Sequence, residues 1–317
     1  MILLRRLSTS DYLNEVIQKI IDYDVVEALL RMAQQSEFLQ LKMEALWVLT
    51  NMCSGSHHHC QHLVDKGVIR VFMEALKEGH NNVIDQAVWG LGNIAADCAE
   101  LALAVQEEGG LEMLMHSAGG CRRYRVFINA CWGMANVLRE IPHEDYYKYR
   151  EAWLFLCQAV RSDHIRGEQL SETLNILGDK IVNPINIFDD IFISGIVPYA
   201  VRRGYSLIND IKQTHIGSEG LKTLYSTLQA ALNILGEMVR SNVACTDVAL
   251  DCDTIALLEE ILYTPRLEDT PFIREALWMI SNVTAGSHQQ VELVLNNPNL
   301  LEKIEEYMKE GEILERI

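Results

Sequence analysis

The octapeptide Glu44-Ala45-Leu46-Trp47-Val48-Leu49-Thr50-Asn51 recurs along the chain, and no other feature narrows the possible folds as much. Gln86-Ala87-Val88-Trp89-Gly90-Leu91-Gly92-Asn93 repeats it 42 residues later, and Asn129-Ala130-Cys131-Trp132-Gly133-Met134-Ala135-Asn136 follows after 43 more. Glu275-Ala276-Leu277-Trp278-Met279-Ile280-Ser281-Asn282 is a fourth copy. Each copy has the pattern of one helix, apolar around a Trp with an Asn four positions on. At about 100° per residue, positions i and i+4 share a face one turn apart, so each copy projects an indole beside a carboxamide. A fixed period of this length is the mark of stacked helical units, whose hydrophobic core is continuous however many units follow one another.

A length of 317 residues would otherwise predict about two domains. The repeat predicts one continuous domain of 1–317 instead, with units at about 11–55, 56–97, 98–140, 141–183, 184–242 and 243–286 and a partial one at 287–317. Hydrophobic residues make up 49% of the chain, prolines number only six, and period-two alternation is rare, so an all-α chain is expected. The net charge is −17, from 44 acidic against 27 basic side chains, which disfavours nucleic acid and favours a cationic partner. The eight cysteines form no Cys-x-x-Cys pair and fall where small apolar residues would serve, as expected of core thiols in a reducing compartment. No apolar run approaches the roughly 18 residues of a membrane span, and the opening Met1–Arg6 has too short an apolar core for a secretory signal.

In chain order, residues 2–7 have the look of the last turns of a helix. Helices are expected at Asp11–Ile21 (capped by Ser10 or Asp11), Val25–Met32 and Leu39–Cys53, with Gly55 left-handed at the end of the third. Gly67 precedes Trp89 by 22 residues and Gly110 precedes Trp132 by the same interval, so a bend that needs positive φ or close helix approach recurs. The unit is therefore a short helix, a bend, a long helix, a loop and a second long helix. Asn175 and Asn233 hold the register in two degenerate units, with about 16 extra residues between Arg202 and Gly220 expected as a surface loop. A seventh unit starts at Pro298 and reaches Ile317 without its third helix.

Three-helix units with a short first helix and a glycine bend resemble armadillo repeats. Trp47-x-x-x-Asn51 with Gly55, Trp89-x-x-x-Asn93 with Asp97, and Trp278-x-x-x-Asn282 look like the importin-α (karyopherin-α) family, over about residues 11–309. The resemblance implies a right-handed superhelical solenoid and a nuclear import adaptor that shuttles between cytoplasm and nucleus. It implies binding of Lys/Arg-rich nuclear localisation signals in an acidic concave groove, without enzymatic activity, cofactor, nucleic acid or membrane. The matching positions of the family's major site are Trp47, Asn51, Gly55, Gln86, Trp89, Asn93, Asp97, Asn129, Trp132, Asn136 and Glu172. Those of the minor site are Glu237, Thr246, Glu275, Trp278, Ser281 and Asn282. Physical chemistry fits that reading. A strand advances about 3.3–3.6 Å per residue and so passes one 8–10 Å helix spacing every two to three residues. The Asn amide can both donate to and accept from its backbone. Indole slots take Lys or Arg stems with about 0.5–2 kcal/mol of cation–π attraction, and the carboxylates, with Asp179 adding negative potential, favour a cation.

The sequence also departs from the family. Cys60 replaces a threonine that helps hold the deepest lysine, Asn233 and Glu237 replace the usual Arg and Asn, and an eighth repeat is absent. A basic amino-terminal segment of the kind that binds importin-β is also absent, so importin-β is expected as a partner only if such a segment exists elsewhere. A catenin-like scaffold for a non-basic protein partner is the alternative. Trp153, without an Asn at i+4, is expected in the core. His57-His58-His59 with Cys60 and His62 is expected as a solvated loop, because consecutive histidines in a turn rarely converge on one tetrahedral ion and no second ligand cluster is recognisable. Cys121–Arg125 is expected as a basic loop surface, and Arg139 resembles a groove arginine of the family. No Walker loop, Gly-x-Ser-x-Gly or His-Glu-x-x-His is present, and Gly217–Gly220 lacks the strand of a nucleophile elbow.

Overall fold

The computed structural model describes residues 12–120, 123–162, 164–181, 188–215, 217–268 and 270–309. Every regular element among them is helical. The expected helix at 2–7 and the capping residues Ser10 and Asp11 lie outside the described residues, as do Cys121, Arg122 and the end of the seventh unit. The chain divides into two compact units between Leu156 and Cys157.

The first unit contains three complete triplets. They are α1 (Leu13–Asp22), α2 (Val25–Gln35) and α3 (Leu39–Cys53), then α4 (His57–Asp65), α5 (Val68–Leu76) and α6 (Asn81–Asp97), then α7 (Ala99–Glu107), α8 (Gly110–Gly120) and α9 (Tyr124–Glu140). α10 (Tyr146–Arg161) follows and crosses the division. The bend between first and second helices is a single left-handed residue: Asp24 (φ 52°), Gly67 (φ 87°) and Gly109 (φ 80°). In the third triplet the left-handed residue is thus Gly109, one position before Gly110. Gly110 answers to close approach instead, since a methyl group there would lie 2.4 Å from Val105 Cγ1. Gly55 likewise has no positive φ. It is small because a methyl group would sit 2.6 Å from Ile17 Cδ1, against α1.

The third helices α3, α6 and α9 pack side by side. Each is buried on most of its circumference, with α6 packed against its own second helix and between α3 and α9. In α6, Val83, Ala87, Val88, Leu91, Ile94 and Ala95 are fully enclosed. The packing is tight because small residues stand where helices meet: a methyl group at Gly133 would be 3.4 Å from Gly92 Cα. Trp153 in α10 is 1% exposed, with Tyr146 edge-on at 5.9 Å, so it is core. Of the seven described cysteines, Cys53, Cys60, Cys131, Cys157 and Cys245 are buried as free thiols, while Cys98 and Cys252 are half-buried. Burial pushes the Cys131 thiol up to about 12.

The second unit continues with α11 (Gly167–Asp179), α12 (Phe188–Ser194), α13 (Ile196–Gln213), α14 (Glu219–Ser241), α15 (Val243–Asp251), α16 (Thr254–Leu262), α17 (Pro271–Thr284), α18 (His288–Leu295) and α19 (Pro298–Lys309). Gly195 (φ 63°) and Asp253 (φ 65°) make its bends. The extra residues after Arg202 are not a loop. They lengthen α13 to Gln213 and start α14 at Glu219. Val201, Gly204, Leu207, Ile208 and Ile211 place an apolar stripe on α13 at helical spacing, and all five are buried. No described helix is long and apolar enough to cross a membrane.

Candidate functional site

Burial on three sides leaves each third helix one accessible strip, and the predicted site residues fall on it. On α6 the strip is Trp89, Asn93 and Asp97, spaced i, i+4, i+8 and all half-buried, the first two between buried neighbours. On α3, Trp47 is half-buried and Asn51 is buried at 7% exposure, and Gly55, two residues past its end, is half-buried. On α9, Asn129 and Trp132 are half-buried, Asn136 is buried and Arg139 is exposed. All of these lie in the first unit.

Neighbouring strips adjoin. Asn93 Nδ2 donates to the Thr50 carbonyl at 3.0 Å, and Thr50 Oγ1 donates to the Gln86 carbonyl at 2.9 Å, so α3 and α6 are cross-tied at the ladder itself. A methyl group at Gly92 would lie 2.6 Å from Trp132 Cζ3, so the Trp132 ring rests on the α6 backbone beside Asn93. Asn129 Nδ2 donates to Asp85 Oδ1 at 3.3 Å, and Arg125 approaches Asp85 Oδ2 at 3.4 Å. Asn136 Oδ1 accepts from Arg139 at 3.1 Å, while its Nδ2 is buried without a hydrogen-bond partner. Gln86 is 5% exposed and its Oε1 is also buried without one. Two amide groups thus stand with unused hydrogen-bonding capacity on adjacent ladder helices, a state that normally calls for a partner.

The carboxylate at the end of the α6 strip is engaged. His57 Nδ1 lies 2.5 Å from Asp97 Oδ2, and the Asp97 hydrogen bond and charge, with Glu100 beyond, hold the imidazole above its ordinary range. The histidine run is therefore not a loop: it forms the first turns of α4. His59 is buried at 5% exposure with Nε2 3.2 Å from Gln18 Oε1, and burial, ahead of its histidine neighbours, pushes its pKa down. Cys60 is fully buried beneath it.

In the second unit the corresponding strips belong to α11, α14 and α17. Glu172 is exposed and Asn175 half-buried on α11. Asn233 Nδ2 donates to Asn175 Oδ1 at 3.1 Å, and Asn233 Oδ1 accepts from Gln229 Nε2 at 2.9 Å, so this amide bridges α14 and α11. Glu237 pairs with Arg240 one turn on. Trp278 is 37% exposed, and its ring covers Gly236 as Trp132 covers Gly92. Asn282 Nδ2 donates to the Trp278 carbonyl at 2.9 Å, and Ser281 is exposed. Glu275 is half-buried, and burial raises its pKa against the opposing pull of Arg274. Thr246 is buried at 4% exposure, with its hydroxyl directed to the Asn242 and Val239 carbonyls.

The pairing of Asp97 with His57 was not anticipated from the sequence, nor was the bridging role of Thr50. Both were signalled by spacing: His57 stands 40 residues before Asp97 and Thr50 stands 43 before Asn93, close to one repeat period.

Residues 14–54 and 56–96 match the family model of the armadillo/β-catenin-like repeat. The crystal structure of an engineered protein superposes with a TM-score of 0.70 over 95% of this chain and 71% of its own, at 17% identity, a likeness of fold alone. Helical triplets whose first two match that repeat place the fold in the armadillo class, all-α among the described residues. Importin subunit α-1a of Oryza sativa subsp. japonica is 29% identical over 286 residues, covering 88% of this chain and 49% of that protein. Importin subunit α-1b of the same organism is 31% identical over 149 residues, covering 46% and 27%. Within the armadillo class, the protein is a divergent relative of the importin-α subunits. It spans about half the length of the first relative and about a quarter of the second.

Proposed function

We propose that the protein is an import-type adaptor that holds a Lys/Arg-rich segment of a cargo protein extended along the Trp–Asn strips of α3, α6 and α9. The observation that carries this reading is the adjacency of three partly open indoles on three packed helices, with an acidic side chain at the end of the central strip. Indole faces receive the methylene stems, Asn51, Asn93 and Asn136 address the peptide backbone, and Asp97 receives an ammonium in place of His57. The strips of α14 and α17, with Glu237, Glu275, Ser281 and Trp278, form a second and weaker station, because the Thr246 hydroxyl is used internally and Glu237 pairs with Arg240. The name importin belongs to the relatives, and nuclear cargo is the natural extension to this chain.

The test is titration with a Lys-Lys-x-Lys peptide by calorimetry. Micromolar or tighter binding is expected, with losses of about tenfold for Trp89→Ala and for Asp97→Asn. An acidic peptide of equal length should not bind. If the basic peptide fails as well, or if both variants bind it like the unaltered protein, the groove serves a partner of another chemistry.

A further inference from the structure

His57, Asp97 and Cys98 come together at one point on the first unit. One ligand atom of each, an imidazole nitrogen, a carboxylate oxygen and the thiol Sγ, lies within 4.8 Å of the other two. The three side chains have separate supports. His57 opens α4, Asp97 is the last residue of α6, and Cys98 is the cap residue that starts α7. α4 and α6 are packed against each other, so the cluster is fixed by the repeat and not by a loose loop. The α6 carboxyl end favours a cation, and the α7 amino end favours the anionic sulfur that would bind it. Cys98 is half-buried and accessible, unlike Cys53 and Cys60 behind it, which are enclosed.

We propose that His57, Asp97 and Cys98 form a zinc site, with the fourth position open to water. One nitrogen, one sulfur and one oxygen donor suit a borderline-soft ion that accepts four ligands in a tetrahedron, and they suit calcium or magnesium poorly. Tetrahedral zinc with ordinary bond lengths spaces its ligand atoms roughly 3.3–3.8 Å apart. The nitrogen and oxygen, at 2.5 Å, need only part by rotation of the exposed His57 ring, and the sulfur need only swing inward. Zinc takes the sulfur as thiolate and the imidazole as neutral, so binding releases the thiol proton to solvent. Asp97 is also the carboxylate that the peptide reading uses, so zinc and a basic peptide would exclude each other. The zinc measurement needs no peptide, and its failure would leave the peptide reading intact.

The experiment uses the reduced full chain, zinc chloride and a chromophoric chelator as competitor, with cobalt(II) as the spectroscopic probe. One equivalent of zinc should bind, and cobalt should give an intense thiolate-to-metal charge-transfer band. Cys98→Ser should abolish that band, and both Cys98→Ser and His57→Ala should weaken zinc binding by about tenfold or more. Both side chains are accessible, so circular dichroism should show the two variants folded. Absence of stoichiometric zinc uptake, or a cobalt–thiolate band that survives Cys98→Ser, would overturn the proposal.

Discussion

Gly92 and Glu275 show how much of the groove is decided by single side chains. A Cβ at Gly92 meets the Trp132 ring at 2.6 and 2.7 Å, so the ring must lift from the α6 backbone. Gly92→Ala is therefore expected to cost about 1–3 kcal/mol, read as a lower thermal midpoint, and to shift tryptophan emission as the Trp132 indole moves. Glu275 tests the electrostatics. Burial raises its folded pKa above the unfolded value, so its stabilising contribution is complete at acid pH and is lost as pH rises through the folded pKa. Glu275→Gln removes that loss. Thermal scans should find the variant equal to the unaltered protein near pH 4 and more stable at neutral pH. The roles of Trp153 and of the buried cysteines were legible at this scale, because a lone Trp without the i+4 amide and small thiols beside apolar residues both signal core. The Asn side chains were only half legible. A buried amide announces that it needs a partner, but sequence cannot say that Asn93 would find it in the Thr50 carbonyl.

At the scale of elements, periodicity carried most of the fold. The expected α3 runs over the residues observed, Leu39–Cys53, and the alternation of short and long helices follows the recurring bend. Two elements were misread for identifiable reasons. The His57–His59 run is polar, and polarity suggested a loop, yet His59 and Cys60 are buried at helical spacing in α4. The segment after Arg202 carries Gly204 and many charges, but its stripe of Leu207, Ile208 and Ile211 holds it in α13. The end of α13 is secured from a distance: Arg266 Nη1 donates to the Ile211 carbonyl at 2.7 Å and also to that of Thr214, satisfying groups a helix end leaves open. Arg266→Ala should therefore fray α13, seen as faster hydrogen exchange over 207–213 with the rest of α13 unchanged. Equal exchange in both proteins would remove Arg266 from that role.

For the whole molecule, the repeat period is the organising quantity. Residues about one period apart become neighbours in adjoining triplets, as Glu27 and Lys66 at 3.0 Å, Arg70 and Glu108 at 3.1 Å, and His57 and Asp97 at 2.5 Å all show. The same rule lines up the Trp–Asn pairs, and a net charge of −17 gives the peptide reading a long-range attraction that salt should weaken. The five tryptophans allow this to be tested site by site, because Trp153 is a core residue and an internal control. In fluorine NMR of the protein labelled with fluorotryptophan, a Lys-rich peptide should move the Trp47, Trp89 and Trp132 resonances and leave Trp153 in place. Resonances that all stay fixed while the peptide binds, or a shift confined to Trp153, would contradict a cationic strand held along these three helices.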